Sequence, residues 1–444
     1  MAQDKTKAEK PVDPPGTPQR RVLPSGLRLI VVERPEAALV GISLAIRTGS
    51  GDEDRTRSGT LHFIEHLVFK GTEEQKPGTF DQLVENLGSE VGARTLRDAT
   101  FFEATVPLEG WQRLLEALGA LTLRPAFRPA DIESEKKVVE AEMALELADP
   151  FRSGTAAVTQ ALYAPGDPYG PPLFGEWPQV SKLTEDDLRA VHTACYRPDR
   201  MTLCVVGPVV AREVEALARQ VFTGPERPPV ARPLRQALVR PTSRDGVGLR
   251  AAADSVSGSR GTSTVVLGWS CPPAADVTTG AALALLAEIL AQDDQGRLAG
   301  ALVHRQELAL KVRVEWVPQR CGGLFLIQAT GLPRNAARLE TAVLDELRRI
   351  LEDGFVPAEL EAGRRAWLGK LATEKASVES AAHRLVSFDA LDTPGLEEEL
   401  EKQLGLVQGD QLQTLLRTTL HPNLRSVALL GPLPLHMPQE GGKP

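Results

Sequence analysis

Residues 27–32 form a nearly unbroken apolar run, Leu27, Leu29, Ile30, Val31 and Val32, and 40–46 repeat it with Val40, Ile42, Leu44, Ala45 and Ile46. With Pro24-Ser25-Gly26 before the first run and Arg34-Pro35-Glu36 between the two, the pattern predicts strand, turn, strand. The period then changes. Leu61, Ile64, Leu67 and Val68 recur at helical spacing, with Ser58 as the expected N-cap and Gly71 where a helix would stop. Phe80 to Leu87 predicts a second short helix ended by Gly88, and Ser89 to Val106 an extended stretch in which Phe102, Ala104 and Val106 alternate. Leu114, Leu115, Leu118 and Leu121 predict a core helix from Trp111 to Leu121.

A longer helical run is expected from Pro129 to about Leu147, terminated by Asp149-Pro150. Its apolar stripe reads Ile132, Val138, Val139, Met143 and Leu145, and Glu135 and Glu142 fall inside it. A carboxylate on an otherwise buried face is costly unless it is paired or bound to metal. The alternative is a ragged stripe whose glutamates are simply solvated.

Further on, Thr184 to Ala194 predicts a helix, Met201 to Pro208 a strand and Val210 to Phe222 another helix. The Pro-rich stretch that follows reads as a stiff linker. The second half then repeats the first in outline. Pro198 and Gly207, which bracket the strand Met201 to Gly207, fall against Pro422 and Gly431 at one constant offset, the mark of a duplicated domain. The helix expected from Gly280 to Leu290 carries Leu283, Leu285, Leu286 and Ile289 but no histidine. The resulting division is a disordered leader at 1–19, a first domain at 20–224, a linker at 225–244, a second homologous domain without a metal site at 245–434, and a tail at 435–444.

Composition narrows the partners. A chain of 444 residues with 42% hydrophobic and 25% charged residues is that of a globular protein with an ample core. A net charge of −8 without a basic cluster, with three tyrosines and five tryptophans, argues against nucleic acid and against an anionic membrane surface. No apolar run is long enough to span a membrane. Cys195, Cys204, Cys271 and Cys321 are widely separated, which points to free thiols and away from a disulfide framework or a cysteine metal site. The leader lacks the apolar core of a signal peptide. The compartment stays open: periplasmic if a signal peptide has been removed, otherwise cytoplasmic.

The chemistry concentrates in His62-Phe63-Ile64-Glu65-His66. On a helix, residues four apart share a face, so both imidazoles can hold one ion. Neutral imidazole suits Zn²⁺, and a hydrolytic zinc site needs a third protein ligand and an open position. Glu65 stands beside the second histidine, where it could deprotonate a water. This is the H-x-x-E-H order of the inverzincins.

On these residues the chain resembles the pitrilysin and insulysin superfamily of zinc peptidases, which includes the mitochondrial processing peptidases and their bacterial relatives; the likeness runs over nearly all of residues 20 to 433. It implies an α+β fold of two tandem α/β-roll domains, each a mostly antiparallel sheet flanked by helices. It implies Zn²⁺ on His62, His66 and Glu142, since the spacing from His66 to Glu142 matches that of the family's third ligand, with Glu65 as general base and Glu135 assisting catalysis. The family works as a clam shell of four such domains, so a second homologous subunit is expected, as a homodimer or a heterodimer. Two positions depart from the pattern. An Asn-Ala pair on the edge strand beside the metal reads here Gly92-Ala93, and the arginine and tyrosine that grip substrate from the second half read Arg305 and Val312. The missing tyrosine favours a heterodimer in which this chain is the catalytic subunit. The activity implied is endopeptidase cleavage of peptides or unfolded segments, bound as an added β-strand in a closed chamber. The alternatives are a structural zinc-binding subunit whose catalysis has lapsed and a presequence-processing peptidase of narrow specificity.

Overall fold

The apolar runs of the first half pair into one six-stranded sheet. In a computed structural model that describes residues 16–230, 232, 237–239, 247–249, 261–291 and 296–431, the strands are β1 (Gln19–Val22), β2 (Arg28–Glu33), β3 (Leu39–Ile46), β4 (Glu90–Thr95), β5 (Thr100–Pro107) and β6 (Met201–Gly207). Their order is β1-β2-β6-β3-β5-β4, antiparallel throughout except for the parallel pair β2 and β6. The second half supplies β7 (Val247–Leu249), β8 (Ser263–Cys271), β9 (Lys311–Val317), β10 (Gly323–Gly331) and β11 (Ser426–Leu430) in the order β7-β11-β8-β10-β9. Removing β1 makes the two orders superimposable, and β11, like β6, makes the one parallel pairing of its sheet. A short 3₁₀ turn, Pro198–Arg200 or Pro422–Leu424, precedes each of those strands. The duplication read from Pro198 and Pro422 is thus a repeat of topology, and the fold is the expected α+β arrangement.

Strands β3, β6 and β8 read as continuous apolar runs because both faces of each sheet are covered. One face packs on helices of its own half, with Leu61, Phe63, Leu114, Leu118 and Val139 against Leu29, Ile42, Phe102 and Leu203 in the first. The other face is covered by a helix from the opposite half. Ala381, Ala382, Leu385 and Val386 of the helix Val378–Ala390 lie on Ile30, Val32, Phe101 and Val206. Reciprocally, Val158 and Leu162 of the helix Pro150–Leu162 lie on Val266, Leu324, Leu326 and Leu430. Each crossing helix comes so close that only glycine fits beneath it. A Cβ on Gly41 would meet the Val378 carbonyl oxygen at 2.4 Å, and one on Gly268 would meet Val158 Cγ1 at 2.2 Å.

Ion pairs also join the halves. Arg28 Nη1 lies 3.2 Å from Asp389 Oδ2, Arg47 Nη1 lies 2.8 Å from Asp392 Oδ1, and Arg320 Nη2 lies 3.1 Å from Asp52 Oδ1. Arg47 and Arg320 are buried. Charges this deep are tolerated only when paired.

Two expectations are revised. Asp149-Pro150 ends the helix Pro129–Ala148 but also starts the next one, with the Asp149 carboxylate accepting the N–H groups of Phe151 and Arg152 and Pro150 at the first helical position. The chain therefore continues as the helix Pro150–Leu162. Val138 and Leu145, assigned to the buried stripe of Pro129–Ala148, are 48% and 71% exposed, because the buried side is the narrower row Ile132, Glu135, Val139 and Met143. Of the expected leader, residues 1–15 lie outside the described residues, as do the tail at 435–444 and much of the linker at 225–244. No helix among the described residues is long and apolar enough to cross a membrane.

Candidate metal centre

The motif helix runs Thr60–Val68 and buries Leu61, Phe63, Ile64, Leu67 and Val68. Ser58 is not its cap. The helix starts from Gly59, at φ 91°, a left-handed conformation that favours glycine; a Cβ there would also meet the Phe174 carbonyl oxygen at 2.5 Å. The first free N–H groups go instead to a residue upstream. Glu53 Oε2 accepts from Gly59 N at 2.8 Å and Oε1 from Leu61 N at 2.6 Å. Burial pushes the Glu53 carboxyl up to about 8, against the pull of those two bonds and of Arg97.

His62 and His66 stand on the remaining face of this helix, their ring centroids 4.7 Å apart. Glu142 reaches them from the helix Pro129–Ala148, with Oε2 3.0 Å from His66 Nε2 and 3.8 Å from His62 Nε2. One ligand atom from each of His62, His66 and Glu142 lies within 4.8 Å of the other two, and among the described residues these three form the group able to hold a metal ion. Glu135, two turns earlier on the same helix, has Oε1 3.0 Å from His66 Nδ1 and Oε2 2.6 Å from Lys70 Nζ. Glu65 is buried beside them, its Oε2 accepting the Thr95 hydroxyl at 2.6 Å.

The electrostatics favour a cation. Burial by itself lowers the pKa of the His66 ring. The hydrogen bonds to Glu135 and Glu142 and the charges of Glu142 and Glu65 outweigh it and hold the ring up at about 9. In turn, the hydrogen bond to His66 holds Glu142 below the ordinary carboxylate range. His62 Nε2 is buried and has no hydrogen-bond partner. A buried ring nitrogen without a partner is costly unless an ion uses its lone pair. Two imidazoles and one carboxylate with an orphaned nitrogen among them fit a tetrahedral zinc site with one position open.

Gly92 and Ala93 lie on β4, an edge strand that among the described residues pairs only with β5, and β4 ends at Thr95 against Glu65. Gly92 is exposed, and a Cβ on it would meet nothing within 4 Å. Arg305 does not join this group. It ends the short helix Gly300–Arg305 in the second half, its side chain is 63% exposed, and its partner is Glu346 at 3.5 Å. Val312 lies on β9, the matching edge strand of the second sheet, half-buried against the core of that half. Sequence reasoning missed Lys70, Thr95 and Glu53. Lys70, four residues past His66, was available from helical spacing; the other two act across loops and carry no local signal.

Fold and site together define a duplicated two-domain protein carrying an H-x-x-E-H helix completed by a glutamate from a second helix. Residues 28–165 match the model described as insulinase, peptidase family M16, and residues 182–366 match that described as peptidase M16 inactive domain. The chain belongs to peptidase family M16. It is 31% identical over 217 residues to an uncharacterized zinc protease of Mycobacterium leprae, covering 49% of this chain and 48% of that one. It is 28% identical over 200 residues to the mitochondrial-processing peptidase subunit beta of Caenorhabditis elegans, covering 45% and 43%. The matched stretch thus spans about half the length of these curated relatives. A protease from Helicobacter pylori shares the fold, with a TM-score of 0.84 at 20% identity over 94% of this chain and 100% of that one.

Proposed function

We propose that this chain is a zinc-dependent endopeptidase, with His62, His66 and Glu142 holding Zn²⁺ and Glu65 acting as general base. The observation that carries the reading is the orphaned, buried His62 Nε2 within a group of three ligand atoms, beside an independently held carboxylate. When bound, Zn²⁺ supplies Lewis-acid chemistry, polarising the scissile carbonyl and making water more acidic. The chain's own residues do the rest. Glu135 accepts the His66 Nδ1 proton, which leaves Nε2 as the ligand nitrogen. Glu65 takes a proton from the attacking water as its oxygen bonds to the carbonyl carbon, and returns that proton to the amine as the C–N bond breaks. The unpaired edge of β4, around Gly92 and Ala93, offers main-chain groups to a peptide lying as an added strand, which recognises extended segments of many sequences.

On this reading the catalytic zinc-binding domain is 20–224 and the metal-free domain 245–434, joined by the linker at 225–244. A second homologous subunit completes the chamber. A relative named as a beta subunit supports a partnered chain, and Val312 in place of tyrosine, with Arg305 paired to Glu346, supports a heterodimer in which the partner contributes the missing substrate contacts. The test is hydrolysis of a quenched fluorescent peptide by wild type and Glu65→Gln, with zinc content measured in both and a candidate partner subunit added. Cleavage by wild type and its loss in a zinc-loaded Glu65→Gln supports the reading. Zinc bound without cleavage, alone and with partner, overturns it in favour of a structural subunit.

A further inference from the structure

Among the described residues, one hydrogen bond holds the Glu65 carboxylate. Its Oε2 receives the Thr95 hydroxyl at 2.6 Å, while His62 Nδ1, at 3.8 Å, is beyond hydrogen-bond reach. Oε1 makes no hydrogen bond to any described residue. Thr95 and Thr100 are cross-strand partners at the closed end of the β4–β5 hairpin, and their hydroxyl oxygens are 3.3 Å apart. Each hydroxyl has one proton to give. Thr100 spends its proton on the Thr48 carbonyl at 3.3 Å, so it turns a lone pair towards Thr95. The Thr95 proton is left to Glu65, by far the shorter contact. Thr48, Thr95 and Thr100 are all buried.

We propose that Thr95 is a positioning residue for the peptidase reaction: its hydroxyl fixes Glu65 through Oε2 in the one orientation that leaves Oε1 free to take the water proton. This rests on the reading of the site as a peptidase. Thr95 keeps its own proton throughout; the proton that moves passes from water to Glu65 and on to the amine. The same strand serves two purposes. Gly92 and Ala93 lie on β4 just before Thr95, so the edge that would align a peptide and the hydroxyl that orients the base are parts of one rigid element. The register of substrate against base is then set by the hairpin and not by a loop.

Thr95→Val keeps the shape and strand preference of the side chain and removes the hydroxyl; Thr95→Ser keeps the hydroxyl. In the zinc-loaded full chain, Thr95→Val is expected to lower kcat about 10–100-fold with KM and zinc content unchanged, Thr95→Ser to restore most of the loss, and Thr95→Val to add nothing in a Glu65→Gln background. Equal losses in Val and Ser, or a change in KM alone, would overturn the proposal. A crystal structure of zinc-loaded Thr95→Val gives a readout free of turnover. The Glu65 carboxylate should turn away or adopt several orientations, and a single unchanged orientation would sink the idea. If wild type cleaves no peptide, the peptidase reading fails, and the crystallographic comparison still decides what Thr95 does to Glu65.

Discussion

Glu135 Oε1 lies 3.0 Å from His66 Nδ1, on the side of the ring opposite the nitrogen that faces Glu142. The contact orients the ring and settles its tautomer, and Lys70 holds the other carboxylate oxygen. Glu135→Gln can no longer accept with a full charge. Its zinc affinity should fall about 10–100-fold, and Lys70→Met should fall less, since the lysine acts one bond further out. Competition against a chelator of known affinity measures both.

Zinc removal should be visible in stability as well as in turnover. A ligand that binds only the folded chain stabilises it by about 3–4 kcal/mol when present at 100 to 1,000 times its Kd. Stripping with a chelator is expected to lower the melting temperature and re-addition to restore it. Glu142→Ala should show neither response, because it retains only two ligands.

Gly92 has open space where a Cβ would point, and its φ is not left-handed. Gly92→Asn should therefore fold with unchanged stability. By adding a side-chain contact to a bound strand it should lower KM for peptide hydrolysis without raising kcat. A loss of melting temperature would show that the space at this position is not open, and no change in KM that it does not face substrate.

His192 titrates outside the site. Burial pulls its pKa down to about 4, helped by the Arg189 charge and opposed by the bond from Nε2 to the Thr122 carbonyl at 2.8 Å. The unfolded chain takes up this proton near the ordinary value of 6.5, the folded chain only near 4. The associated stability is full above pH 6.5 and is lost as pH falls towards 4, about 3 kcal/mol in all. His192→Phe leaves the Thr122 carbonyl unpaired and costs about 1–3 kcal/mol at neutral pH. It should narrow the gap between urea midpoints at pH 7.5 and 5, which wild type shows in full.

Gly41 reports on the joint between the halves. A larger side chain would strike the backbone of Val378, which cannot move aside as a side-chain tip could. Gly41→Val is expected to cost about 1–3 kcal/mol or more and to loosen the helix Val378–Ala390, read as faster amide exchange there than in the helix Trp111–Leu123.

Most elements were legible because their signals are local. The motif helix, the helix from Pro129 and the strands at 28–33 and 39–46 announce themselves through period and punctuation. Val138 and Leu145 misled because periodicity marks apolar residues, and only the neighbours of a helix decide which apolar residues are covered. Ser58 misled for a related reason: a cap is recognised by residue type, but Glu53 reaches the same N–H groups from a loop.

By itself the sequence determined the period of each element, the duplication, and the two histidines that a helical turn puts on one face, since all of these follow from backbone geometry within a few residues. It also placed Glu135 and Glu142 on one row of one helix. Only the tertiary structure decided that this row meets His62 and His66, that Thr95 touches Glu65, that Arg305 pairs with Glu346, and that each half covers the outer sheet of the other. Those contacts join residues far apart in the chain. They arise from the packing of sheet faces, helix crossings and buried charge, to which no local pattern of residues corresponds.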